Sequence, residues 1–146
     1  MPLRSAPSLA GLIGFVLLVG LGAGAGAAPA SAPHAAACVA ALKGQEASLA
    51  ETLKAGAAVE PELLRVVRSG FAFVGRQYVA GLRESEARRL LESAERDFRA
   101  LAPDSRQLRQ AQCLREGERL YAESSVFERG IISSAAQRRV QRIKTR

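Results

Sequence analysis

From residue 36 onward, apolar positions recur at the three- and four-residue intervals of a helix, and no run alternates with the two-residue period of a strand. The first element spans about 36–55. At 100° per residue, Cys38, Leu42, Gln45, Leu49 and Leu53 form one stripe, with Lys43 and Lys54 beside or behind it. "AGAAVE" breaks the pattern, and a second helix starts at Pro61, where a missing N–H costs nothing. Leu63, Val67, Phe71, Val74, Tyr78 and Leu82 make its stripe, which predicts the most buried element of the chain. Gly81 suits a left-handed cap at its end.

A third helix, with Ser85 as candidate N-cap, turns Ala87, Leu90, Leu91, Ala94, Phe98 and Leu101 inward. "APDS" at 102–105 is a turn, and Asp104 or Ser105 can cap a fourth helix with Cys113, Leu114, Gly117, Leu120 and Tyr121 on one side. Past "SS" at 124–125, Phe127, Ile131, Ile132, Ala135, Ala136 and Val140 outline a fifth. Gly70, Gly75 and Gly81 are read as points of close helix packing. The pattern predicts an all-α fold, a four- or five-helix bundle with short connections between antiparallel neighbours.

The two cysteines, Cys38 and Cys113, lie on inward stripes of different helices. Two small buried thiols are the plain alternative. In an exported chain such a pair predicts a disulfide. It would span 75 residues, and the chain-entropy model gives such a bridge about 4 kcal/mol. In a regular up-down bundle the two positions would differ in height by roughly 10 Å, whereas bridged Cα atoms lie within about 7 Å. The bundle is therefore expected to be irregular, with crossings nearer about 50° than those of a coiled coil.

Export is read from the first thirty residues. Arg4 is the only charge before residue 43, "LIGFVLLVGL" at 12–21 is the apolar run, and Ala28-Pro29-Ala30 fits a small-residue cleavage site. Residues 1–30 are thus expected to be a signal peptide, with Ser31 as the new N-terminus; Ala25-Gly26-Ala27 is an alternative site. The uncharged stretch is also long enough for an uncleaved membrane anchor. A lipid on Cys38 is disfavoured, because Ala35-Ala36-Ala37 lacks the apolar residue of a lipobox. Residues 31–35, with Pro33 and His34, read as a disordered lead, and 36–137 as the helical domain. The expected location is periplasmic or secreted, and membrane-anchored if the first segment stays.

Charge changes the picture only at the C-terminus. The chain has 21 basic and 14 acidic residues, but residues 31–137 hold 15 and 14. The excess sits in a basic tail, 138–146, with Arg138, Arg139, Arg142, Lys144 and Arg146. A solvated end is the simplest reading, with an anionic membrane surface as the alternative. Its charges scatter around Val140 and Ile143, against an amphipathic membrane helix. Nucleic acid is not an expected partner of an exported chain.

Little chemistry is legible. His34 is the only histidine, no Cys/His cluster has zinc or haem-attachment spacing, and the acidic pairs lie among arginines. No cofactor, metal or catalytic residue is expected. Arg76, Gln77 and Tyr78 are the polar set in the most apolar helix. The plain reading pairs Arg76 with a carboxylate of the third or fourth helix and buries Tyr78; the functional one makes the three a ligand or partner groove. The expectation is a small, exported, non-catalytic interaction protein of the periplasm, such as an inhibitor, immunity or accessory factor acting on an envelope protein. The alternative is a helical carrier for a small apolar or anionic ligand.

Overall fold

The computed structural model describes residues 30–146, so the signal-peptide reading of 1–30 falls almost wholly outside the described residues. Among the described residues five helices follow one another: α1 (Ala32–Lys54), α2 (Glu60–Val79), α3 (Glu84–Ala100), α4 (Pro103–Glu123) and α5 (Val126–Lys144). The described residues contain no strand. Successive helices run in opposite directions. Gln77 near the end of α2 reaches back to Ala30 beside the start of α1, and Lys144 at the end of α5 meets Glu60 at the start of α2.

Of the lead predicted at 31–35, residues 32–35 are helical instead. Ser31 caps α1, its hydroxyl accepting from the His34 N–H at 3.4 Å, and Pro33 sits in the first turn, where proline is tolerated. Ala35 is buried there, so this extra turn is anchored in the core. The earlier start also brings the cysteines level. Cys38 lies six residues into α1 and Cys113 ten residues before the end of α4. That leaves roughly 6 Å of the height mismatch, and the Cα atoms of the bridged pair are 5.1 Å apart. The bundle is all-α and stapled by the Cys38–Cys113 disulfide.

The bridge stands in the main core, with Leu42, Val66, Phe73, Leu114 and Leu120 around it. A second cluster joins Leu63 and Val67 of α2 to Ala136 and Val140 of α5. The C-terminal basic stretch is consequently no detached tail. α5 continues through it to Lys144, Val140 is buried, Arg139 pairs with Glu46 at 2.7 Å and Lys144 with Glu60 at 2.7 Å. The reason is the spacing of Val140 and Ile143, which keeps one apolar stripe pointed at α2 while the charges flank it.

α2 supplies six buried residues, including Leu63, Val66 and Phe73, and Gly81 follows it at φ +86° in the left-handed region. Its last turn differs from expectation: Tyr78 is 80% exposed, and Val74 and Val79 are also open. α3 carries the other correction, for none of its residues is buried. It packs chiefly on α1, through Phe98 against Gly44 and through the Lys43–Glu95 ion pair. A stripe that meets a single neighbour leaves its other edge in water. The capping expectations for Ser85, Asp104 and Ser105 also fail, because α3 and α4 begin at Glu84 and Pro103 without a side-chain cap. The acids Glu84, Glu86 and Asp104 face the positive helix ends instead. Nor do Gly70, Gly75 and Gly81 make close contacts; the close approaches are at Gly44 and Gly117.

Candidate functional site

The shortfall of packing on α3 opens an apolar groove of about 340 Å³ between the N-terminal half of α1, the end of α2 and the start of α3. Its floor is made by Ala32, Ala35 and Ala36, spaced three and four residues apart on α1. These short side chains leave the space between α2 and α3 unfilled. Ala87, Leu90 and Leu91 form the α3 wall, and Val74 and Leu82 face them from α2 and the turn after it.

Polar groups are few and lie among this lining: Gln77, Tyr78 and Glu84. The Gln77 amide donates to the Ala30 carbonyl at 2.9 Å, which fastens the start of the described chain beside the groove. Of the three residues singled out from the sequence, Gln77 and Tyr78 thus belong to one surface. Arg76 belongs to another, as its nearby charge acts on Glu128 of α5. The expected Arg76 pairing with α3 or α4 is not among the ion pairs of the described residues, and Tyr78 is not core.

Glu128 completes a capping box with Ser125. Its carboxylate accepts from the Ser125 N–H at 2.7 Å, and its own N–H donates to the Ser125 hydroxyl at 3.2 Å. The hydrogen bonds from the Ser125 backbone and hydroxyl hold the Glu128 carboxyl below the usual carboxylate range, with Arg76 adding in the same direction. Beside this cap, Val126, Phe127 and Ile131 are exposed, Phe127 at 77%. They lie at the end of the bundle where α2 finishes and α1 begins.

Arg139 and Lys144 are tied down by ion pairs, while Arg138, Arg142 and Arg146 are exposed. Arg139 and Arg142 line one surface together, beside Glu46 of α1. Elsewhere, Arg65 pairs with Glu118, which raises the guanidinium pKa through their hydrogen bond, and Arg68 stacks 4.5 Å above the Tyr121 ring.

His34, assigned from the sequence to a disordered lead, stands on the first turn of α1. Its Nε2 is 2.8 Å from a Glu116 carboxylate oxygen and 3.8 Å from the Cys38 sulfur. The α3 wall and this His34–Glu116 contact escaped sequence reasoning. The four-residue step from His34 to Cys38 was the available signal for the second, and the run of alanines in α1 for the first. Comparison with protein-family models, curated proteins and solved structures finds no match to this chain.

Proposed function

We propose that this is an exported, non-catalytic binding protein that receives apolar side chains of an envelope protein in the groove between α1, α2 and α3. The observation that carries the reading is the groove itself. Ala, Val and Leu line it in a protein whose largest core side chains are buried elsewhere, and water is a poor occupant for such a surface. Val126, Phe127 and Ile131, also exposed, lie at the same end of the bundle. The disulfide fits an oxidising compartment. Among the described residues no helix is long and apolar enough to cross a membrane. With residues 1–30 as a cleaved signal, the protein would be periplasmic or secreted. Retained, that segment would anchor it.

The size of the groove favours a second reading, a carrier of a small apolar ligand. A cavity of 340 Å³ lies at the lower end of the roughly 300–1,000 Å³ common for ligand sites. Native mass spectrometry of protein purified from the envelope, beside affinity capture from the same extract, separates the two. A captured protein that is lost with Leu91→Glu supports the first reading. A retained small molecule lost with the same variant supports the second. If Leu91→Glu changes neither, the groove is not the binding surface.

A further inference from the structure

The disulfide is bordered by two more side chains of metal-ligating type, His34 and Glu116. His34 and Cys38 are four residues apart on α1, and Cys113 and Glu116 are three apart on α4, so each helix presents two ligands on one face. Pairs of this kind, one from each of two packed helices, are how bundles build metal sites. The ligand atoms of His34, Cys38 and Glu116 lie within 4.8 Å of one another, and Cys113 is joined to Cys38. We propose that the dithiol form of this protein binds one Zn²⁺ through Cys38, Cys113, His34 and Glu116.

One edge of the site already suits tetrahedral zinc. With Zn–S of about 2.3 Å and Zn–N of about 2.0 Å, the N···S edge of the tetrahedron is about 3.6 Å. The observed separation of His34 Nε2 and Cys38 Sγ is 3.8 Å. The 2.8 Å contact between His34 and Glu116 must widen by roughly half an ångström, within the reach of a glutamate rotamer. The sulfurs must part to about 3.8 Å, which rotation of the two cysteine side chains provides. Both cysteines are buried while His34 and Glu116 are partly open, so the site has a dry inner side and a path for the ion from solvent.

No reductant is needed to reach this form, because the chain is made with two free thiols. From the bridged form, a dithiol or phosphine supplies the two electrons, two protons complete the thiols, and the reductant leaves oxidised. Zn²⁺ then displaces those two protons and binds two thiolates, one neutral imidazole and one carboxylate. The same residues would hold α1 to α4 in either state, by metal before oxidation and by disulfide after it. This proposal is independent of the groove.

Full chain reduced with a phosphine and titrated with Co²⁺ tests it. One equivalent should produce a thiolate-to-cobalt charge-transfer band with tetrahedral visible bands, and Zn²⁺ should displace both. His34→Ala and Glu116→Ala should each weaken the metal by at least about tenfold, while their bridged forms keep the wild-type helical signal and bind no Co²⁺ through sulfur. If the reduced chain loses its helices, Zn²⁺ must restore the helical circular dichroism. Absence of the bands, failure of that rescue, or equal affinity in both variants and wild type would overturn the proposal.

Discussion

A Cβ placed on Gly117 would stand 2.7 Å from the Cβ of Ser69 and 2.9 Å from its carbonyl oxygen, so α4 and α2 touch nearly backbone to backbone. Ser69 is buried, and its hydroxyl donates to the Arg65 carbonyl at 3.0 Å instead of facing α4 unpartnered. This close approach sets the depth to which Cys113 and Leu120 enter the core. Gly117→Ala should therefore destabilise the protein by about 1–3 kcal/mol through overpacking, despite the better helix propensity of alanine. Gly130, which has open space around it in α5, is the control. Gly130→Ala should stabilise by up to about 1 kcal/mol. Urea unfolding midpoints of the two variants should move in opposite directions.

Breaking the bridge should be costly. Cys38→Ala and Cys113→Ala should each lower stability by about 2–5 kcal/mol, measured by urea unfolding in metal-free buffer. Each removes the same constraint on the same 75-residue separation, so the two values should agree closely.

Truncation at residue 137 should destabilise the domain, contrary to what the charge pattern alone implies. It removes buried Val140, whose burial contributes about 1.5–3 kcal/mol. It also removes the Arg139–Glu46 and Lys144–Glu60 pairs. A lower melting temperature for the truncated chain is expected. An unchanged one would return 138–146 to the status of a solvated tail.

The capping box on α5 gives the stability a pH dependence of known sign. Because folding depresses the Glu128 pKa, the folded state favours the carboxylate. That contribution is present above the unfolded carboxylate range and is lost as pH falls through the depressed folded value. Glu128→Gln should be less stable than wild type at neutral pH, and the gap should close on acidification. Thermal melts across that range measure it.

The helix order and the cysteine pair were legible because each rests on short-range periodicity and on one covalent geometry. The beginning of α1 was not. Pro33 reads as a breaker, yet Ser31 places it in the first turn, where its missing donor is harmless. The C-terminal stretch misled for a related reason: five charges outweighed Val140 and Ile143 in the reading, although those two decide which face is buried. α3 has a clear amphipathic stripe, but a stripe does not say how many neighbours will cover it. The groove is a property of three helices at once, set by short alanines on α1 and an exposed final turn of α2. Tyr78 and Gln77 stand out in the sequence as polar residues of an apolar helix; their common surface exists only with α3 opposite.

The groove as binding surface is tested most directly by photo-crosslinking. A photoreactive residue replacing Leu91, in the groove wall, or Arg115, exposed on α4, is irradiated in intact envelope. One discrete adduct is expected from position 91, reduced when Ala36→Glu is added to the floor, and none of that mass from position 115. The same adduct from both positions, or none from position 91 with the protein folded and exported, would contradict it.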